Sequence, residues 1–294
     1  MHMSENPILA LVEKQEWLQP IQDKGGELVR GAYGAAGSRG QAVKDALNGV
    51  WLGHPLHPAI TDVPVGSWTV ALALDLLEIR GDSRYTGGAD AAVAVGLLAS
   101  VPSALSGLTD WSDTHGKPQR VGAMHGLLNI GAAALYAGSY AARKGEKRGL
   151  GRWLGFAGYS LVLASAYLGG ELSYSQKIGV NHAADEDELP ADYTAVCTEA
   201  DLAEGKPKKA TANGTEVFLL KHGNAIYALG NRCAHAGGPL AEGKVEGDTV
   251  VCPWHGSRFC LRDGSVVNGP ATNPQPVLSV KIQDSQVMVK ALES

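Results

Sequence analysis

The fold of the C-terminal third is decided by two motifs, Cys-Ala-His at residues 233–235 and Cys-Pro-Trp-His at residues 252–255. Each motif offers one thiolate and one imidazole. A mixed iron–sulfur centre needs this set, with two cysteines on one iron and two histidines on the other. Structural zinc is the competing interpretation, but zinc fingers usually group their cysteines in one motif and their histidines in the other. The mixed motifs therefore favour a [2Fe–2S] cluster.

These motifs resemble the cluster loops of a Rieske [2Fe–2S] domain of the ferredoxin type. Asn-Gly-Pro-Ala at residues 268–271 resembles the proline loop that covers the cluster in that family, and the resemblance extends from about residue 190 to the C-terminus. It implies an all-β domain with four metal ligands, Cys233, His235, Cys252 and His255, and two further residues beside the cluster, Ser257 and Pro270.

The resemblance also predicts the reduction potential. Rieske proteins of quinol-oxidising complexes have a serine and a tyrosine hydroxyl beside the cluster and a disulfide between its loops. This sequence has Ser257, but Phe259 stands at the tyrosine position, and Gly238 and Trp254 stand at the cysteine positions. Hydrogen bonds to the sulfurs raise the potential. We therefore expect a value between those of Rieske ferredoxins and quinol-oxidising Rieske proteins.

Length and charge bound the remaining possibilities. A chain of 294 residues allows about two domains, and a net charge of −5 gives no electrostatic reason to expect nucleic acid. The polar N-terminus predicts no secretory signal peptide, and no internal repeat is evident. Cys197 and Cys260 are expected to pack as small buried residues; a disulfide between them is the alternative.

Four apolar segments precede the Rieske-like region, at residues 59–77, 91–109, 121–142 and 153–170. Each falls within the 17–25 residues that cross a bilayer, and the glycine, alanine and serine within them suit close helix packing in lipid. A soluble four-helix bundle is the alternative, but it needs a polar outer face on every helix. The predicted fold class is therefore α+β and multidomain, with a four-helix transmembrane bundle followed by an all-β domain.

The predicted domains are a peripheral helical segment at 1–50, the transmembrane domain at 51–182, an acidic linker at 183–192 and the Rieske domain at 193–294. Gly-His-Pro-Leu-His-Pro at 53–58 and Met-His-Gly-Leu-Leu-Asn at 124–129 resemble motifs of an uncharacterised family of bacterial four-helix membrane proteins. That family carries no established activity.

An up-and-down bundle brings most ionisable side chains to one end. Such groups are costly in a membrane and mark candidate functional sites. Histidines there can ligate a b-type haem, bind zinc or hold a quinol; a purely structural polar end is the alternative. We prefer His57 and His125 as haem ligands, oriented by Asp62 and Asp110. The candidate residues at this end are His54, His57, Asp62, Asp110, His115, His125 and His182.

The sequence thus predicts a multi-pass protein of a bacterial cell membrane, in contact with lipid, that passes single electrons between a redox partner protein or quinone and the histidine-rich site. It would be an oxidoreductase or an electron-transfer subunit. A ligand-binding or redox-sensing membrane module is the alternative, and a component of a Rieske oxygenase system is a weaker one. Arginines at the opposite end favour an outward-facing Rieske domain, whereas the lack of a twin-arginine signal argues against export. The sequence is also compatible with an oligomer.

Overall fold

The computed structural model describes residues 7–81, 83–183, 185 and 188–292. Its contacts divide the chain into a helical unit, Met1–Gly40 with Leu56–Ile178, and a second unit, Gln41–Pro55 with Gly179–Ser294. The predicted linker at 183–192 lies partly outside the described residues. Residues 41–55 belong to the second unit although they precede the long helices in the sequence, a grouping that the sequence patterns did not indicate.

Seven α-helices are present in the described ranges, where the sequence predicted four preceded by a peripheral helical segment. The three shorter helices are α1 (Pro7–Glu13), α2 (Gln19–Ala35) and α3 (Gly37–Asn48). The four long helices are α4 (Leu56–Ile79), α5 (Thr86–Ser112), α6 (Gly116–Lys144) and α7 (Arg148–Gly170). In the helical unit α4 packs on α5, α5 on α6, α6 on α7 and α7 on α4, while α2 packs on α5 and α6.

Two of these helices are long and apolar enough to cross a membrane, within the part of the chain that the structure describes. They are Leu56–Ile79, with a mean hydropathy of 1.3, and the segment Ser83–Ser112, with a mean hydropathy of 1.8. Only 22% of the most apolar window of each is buried. Apolar side chains such as Val70 and Leu98 therefore face outward, where a helix from a soluble core would bury them.

Buried and half-buried ion pairs connect the ends of the long helices that lie away from His57 and His125. Arg143 of α6 donates through Nη1 to Asp75 of α4 at 2.8 Å and to Asp90 of α5 at 3.2 Å. Arg148 of α7 donates to Asp90 at 2.8 Å and also pairs with Glu78. An unpaired buried charge is strongly destabilising, so these arginines have a structural role in addition to any influence on membrane orientation.

The described residues of the second unit form ten strands, in three antiparallel sheets. The first sheet has the order β1 (Thr194–Thr198), β10 (Gln286–Ala291), β9 (Leu278–Gln283). The second has the order β2 (Lys208–Ala212), β3 (Thr215–His222), β4 (Ala225–Gly230). The third runs from β5 (Lys244–Glu246) through β6 (Thr249–Val251) and β7 (Arg258–Cys260) to β8 (Val266–Asn268). The pairs β3–β4 and β9–β10 are antiparallel hairpins.

The core of this unit explains why the strands form where they do. Residues Val217 to Leu220 of β3 are all fully buried, since β3 is the central strand of its sheet and both its faces are covered. Phe218 and Leu220 pack in one cluster with the candidate ligands Cys233 and Cys252, whereas Val217 and Leu219 pack in another with β1 and β10. The candidate cluster loops are therefore anchored in a rigid β core.

Candidate iron–sulfur site

The two predicted ligand loops have the same local structure. In the first loop, which follows β4, Cys233 N–H donates to Gly238 O at 2.8 Å and Gly237 N–H donates to Cys233 O at 2.8 Å. In the second loop, between β6 and β7, Cys252 N–H donates to Ser257 O at 2.8 Å and Gly256 N–H donates to Cys252 O at 3.1 Å. Both glycines have φ +77, a conformation that side chains with a Cβ rarely adopt.

The loops bring the two thiols together in a buried position, and all four cysteines of the chain are free. The pKa of Cys252 is lowered to about 7, chiefly because the Cys233 thiol donates to its sulfur, and also because the backbone N–H groups of Trp254 and His255 do. The pKa of Cys233 is raised, because it supplies that proton and is buried. N–H groups aimed at sulfur stabilise thiolates, the form that binds metal.

The two imidazoles of the motifs also meet. His235 Nδ1 and His255 Nδ1 are 3.2 Å apart, and the ring planes are nearly perpendicular. Two nitrogens bound to one metal at about 2.0–2.1 Å with a near-tetrahedral angle lie about 3.3 Å apart, so both can bind the same iron. Burial lowers the pKa of His235 to about 3, with His255 and Lys44 adding to the effect. The ring is therefore neutral and keeps a lone pair for metal.

The arrangement fits two irons better than one zinc ion. Across the described ranges, no three His, Cys, Asp or Glu side chains converge on a single metal-ion position. A structural zinc ion needs four ligands around one point, whereas each iron of a Rieske cluster takes two ligands from the protein.

Residues around the loops explain part of the expected chemistry. Ser257 is fully buried and its Oγ accepts the Ala271 N–H at 3.0 Å, so its hydrogen is left to donate elsewhere. Phe259 is fully buried in the core and brings no hydroxyl. A Cβ on Gly238 would lie 3.0 Å from the Trp254 ring. The two positions are therefore adjacent, and a tryptophan packs where the resemblance places a disulfide in other members. The intermediate potential stays a prediction.

Gln275 is a supporting residue that sequence reasoning missed. Its side chain, 2% exposed, accepts the Ala234 N–H at 2.9 Å and donates to the carbonyls of Gly230 and Arg232, both at 2.9 Å. It fixes the first ligand loop to the segment that follows the proline loop. A glutamine among prolines gave no signal in the sequence.

A second missed contact fixes the proline loop, in which the Gly269–Pro270 peptide is cis and Pro270 is buried. Asp45 of α3 accepts the Asn268 Nδ2–H at 2.8 Å and the Gly269 N–H at 2.9 Å. A Cβ on Gly269 would lie 3.1 Å from both Asn48 and Val50. Residues 45–50 thus pack directly on the loop predicted to cover the cluster.

Of the histidines predicted for the bundle end, His57 and His125 lie close together in the helical unit. The rings of His57 and His125 have centroids 6.2 Å apart. His57 Nδ1 bonds to Ser103 O at 2.9 Å, and His125 Nδ1 bonds to Ser165 O at 2.8 Å. Asp62 is exposed. The prediction that Asp62 and Asp110 orient these rings is therefore corrected, because backbone carbonyls of serines on the neighbouring helices bond to both Nδ1 atoms.

The other predicted histidines have different environments. His115 is exposed at the N-cap of α6. His54 is exposed in the 41–55 segment of the second unit. His182 belongs to that unit too, where its N–H donates to Ala234 O at 2.9 Å. His182 thus lies beside the first ligand loop, since its backbone continues into the β domain.

Comparisons with known proteins agree with this geometry. The family model for the Rieske [2Fe-2S] domain matches residues 192–284, and a model described as a predicted membrane protein (DUF2231) matches residues 53–182. The 3-phenylpropionate/cinnamic acid dioxygenase ferredoxin subunit of Shigella boydii serotype 4 (strain Sb227) is 32% identical over 99 residues, which are 33% of this chain and 92% of that protein.

Two further relatives share the same region. Human (Homo sapiens) apoptosis-inducing factor 3 is 34% identical over 97 residues, 33% of this chain, but the match spans only 16% of that longer protein. The solved ferredoxin of carbazole 1,9a-dioxygenase from Nocardioides aromaticivorans IC177 is 27% identical, with a TM-score of 0.33, over 34% of this chain and 98% of that one. Because nearly the whole of the Shigella ferredoxin subunit is matched at 32% identity, the chain belongs, through its C-terminal domain, to the Rieske [2Fe–2S] family.

Proposed function

We propose that this protein is a membrane-anchored Rieske electron-transfer protein. Cys233 and Cys252 would hold one iron and His235 and His255 the other, and a cluster bound there would accept and release one electron at a time. The observation that carries this proposal is the convergence of two thiols and two imidazoles on matching loops. The backbone N–H groups aimed at the cysteine sulfurs would stabilise their negative charge and so favour the reduced state.

The membrane location is supported by α4 and α5. Both have the length and hydropathy of spanning helices and expose apolar side chains over most of their surface, which water would not tolerate and lipid would. A multi-pass arrangement of all four long helices is the finer proposal, and we retain the outward-facing Rieske domain with it. Protease treatment of intact spheroplasts tests the side: cleavage within residues 193–294 without lysis supports the outward orientation.

The cluster needs a source and a destination for its electron. The ferredoxin subunits among the relatives favour a redox protein as one partner, and the histidines of the helical unit are candidates for the other, with either a b-type haem or a quinone. Service as the ferredoxin component of an oxygenase system is the second candidate function. Cluster reduction by duroquinol in proteoliposomes would favour the membrane route, whereas reduction only by a soluble NADH-dependent ferredoxin reductase would favour the oxygenase route.

The decisive experiment compares two cysteine variants of the detergent-purified full chain. Cys252→Ser should abolish acid-labile sulfide and the EPR signal of the dithionite-reduced protein. Cys197→Ser makes the same chemical change in β1, away from the ligand loops, and should leave both unchanged. A Cys252→Ser protein that kept its sulfide and EPR signal would exclude the ligand assignment.

A further inference from the structure

The helix pair α6–α7 repeats the side-chain arrangement of the pair α4–α5. Equivalent residues of α4 and α6 lie 68 positions apart, and those of α5 and α7 lie 62 apart. On α4 and α6 the equivalent pairs are His57 with His125, Trp68 with Tyr136, and Asp75 with Arg143. On α5 and α7 they are Gly96 with Gly158, Ser103 with Ser165, and Gly107 with Gly169.

Each ring of one helix lies against a glycine of its neighbour, in the same way in both pairs. A Cβ on Gly107 would be 2.7 Å from the His57 ring, and a Cβ on Gly169 would be 3.3 Å from the His125 ring. Three turns deeper, Gly96 and Gly158 stand in the same relation to Trp68 and Tyr136, with Cβ distances of 2.2 and 3.0 Å. The glycines let these rings pack directly on the neighbouring backbone.

Equivalent residues also meet each other. The His57 and His125 ring centroids are 6.2 Å apart, Trp68 stacks on Tyr136 with centroids 4.2 Å apart, and Asp75 pairs with Arg143. A residue contacts its own equivalent only near a two-fold axis. The helical unit therefore has an internal pseudo-two-fold axis, and the two histidines lie on either side of it.

The hydrogen bonds of the histidines define which nitrogen carries a lone pair. A carbonyl oxygen only accepts hydrogen bonds, so the Nδ1 atoms that face Ser103 O and Ser165 O carry the hydrogen. Nε2 of each neutral ring then carries the lone pair. At His125 the Ser165 hydroxyl also lies 2.9 Å from Nδ1, and Asn129 Nδ2 lies 3.1 Å from Nε2, the arrangement of an amide that donates to a bare nitrogen.

Two neighbouring imidazoles, each held through Nδ1 by a backbone carbonyl, suit a metal ligand pair, and the surroundings restrict the kind of metal. No third His, Cys, Asp or Glu side chain joins them in the described part of the helical unit, so a lone zinc ion would lack ligands. A haem brings four nitrogens of its own and needs only two from the protein. Nitrogens on opposite sides of one iron, each bonded at about 2.0–2.1 Å, place the ring centroids about 6 Å apart.

We propose that the helical unit binds one haem, with Nε2 of His57 and Nε2 of His125 as the two protein ligands. At His125 the iron would take the lone pair that accepts the Asn129 N–H in this structure. Its physiological role rests on the proposed function: a reduced cluster would lose one electron and return to two ferric irons, and the haem iron would change from ferric to ferrous. No bond and no proton is transferred. Haem binding itself depends only on residues of the helical unit.

The test is the pyridine haemochrome and the reduced-minus-oxidised spectrum of the detergent-purified full chain. We expect about one haem and about three irons per chain. His57→Leu and His125→Leu should each remove the haem bands and lower iron to about two. His222→Leu, at an exposed histidine that ends β3, should leave both unchanged. His125→Met should keep the haem but shift its bands and raise its potential, as methionine ligation does. This variant therefore tests the ligand without requiring loss of the haem.

Each outcome bears on one proposal. Wild-type protein without haem, or His57→Leu protein with unchanged haem bands, would overturn the haem proposal. One quinone per chain in the lipid extract, in place of haem, would overturn it in favour of a quinone site. The EPR signal of the cluster reports separately: its retention in His57→Leu shows that the chain has folded. Its absence from wild-type protein with intact haem bands would refute the Rieske function and leave the haem site standing.

Discussion

Removal of the Asp45 carboxylate should release the proline loop. Asp45 accepts two hydrogen bonds from that loop, from Asn268 Nδ2 at 2.8 Å and from the Gly269 N–H at 2.9 Å. Hydrogen bonds to a charged group contribute about 1.5–3 kcal/mol each. Because Asp45 is only half-buried, water can replace part of this, and we take about 1.5–3 kcal/mol for both together. At 1.4 kcal/mol per tenfold, Asp45→Ala should increase opening of the loop by about 10–150-fold.

Amide hydrogen exchange measures this directly, because the Gly269 N–H loses its acceptor in the variant. Exchange should accelerate by that factor in the peptide covering residues 262–276, while a peptide from β3 should be unaffected. Asp45→Asn keeps one acceptor oxygen and should give an intermediate rate. Asp23→Ala is the matched control, since Asp23 is bonded to the Gln19 side chain on an exposed helix face. An unchanged exchange rate in Asp45→Ala would refute the idea that α3 holds the loop.

Three further variants test the structure at separate points. Ser257→Ala should lower the reduction potential of the cluster, because it removes a buried hydroxyl whose hydrogen is left to donate; an EPR-monitored redox titration at unchanged cluster content measures the shift. Asp75→Asn should lower the melting temperature in detergent, because breaking a buried ion pair costs about 3–5 kcal/mol; Asp90, the second partner of the same arginine, should limit the loss. Gly96→Ala should destabilise the protein more than Gly66→Ala. A Cβ at the first glycine would lie 2.2 Å from Trp68, whereas the second faces open space; equal melting temperatures would contradict the packing.

The β domain could be predicted from the sequence because its information is local. Cys233 and His235 lie within one loop, Cys252 and His255 lie within another, and ligand spacing translates directly into chemistry. The β3–β4 hairpin is marked by a buried apolar run and a turn glycine, Gly223. Gln275 and Asp45 act from a distance along the chain, and their residue types are common on protein surfaces, so no pattern distinguished them.

The site in the helical unit could be predicted only in part. The ends of its helices could be placed, and His57 and His125 were paired from their positions alone, but their orientation was assigned to the wrong partners. A carboxylate is a visible candidate in a sequence, whereas a backbone carbonyl such as that of Ser103 is present in every residue type and gives no signal.

The sequence does not reveal the internal repeat, for a related reason. Its equivalent positions pair tryptophan with tyrosine and aspartate with arginine, because residues that meet across the axis must complement each other in shape and charge. Identity is retained where the same task is done twice, by the histidines and by the glycines beneath the rings. A two-fold site of this kind is recognised by which residues contact their own equivalents, and only coordinates contain that information.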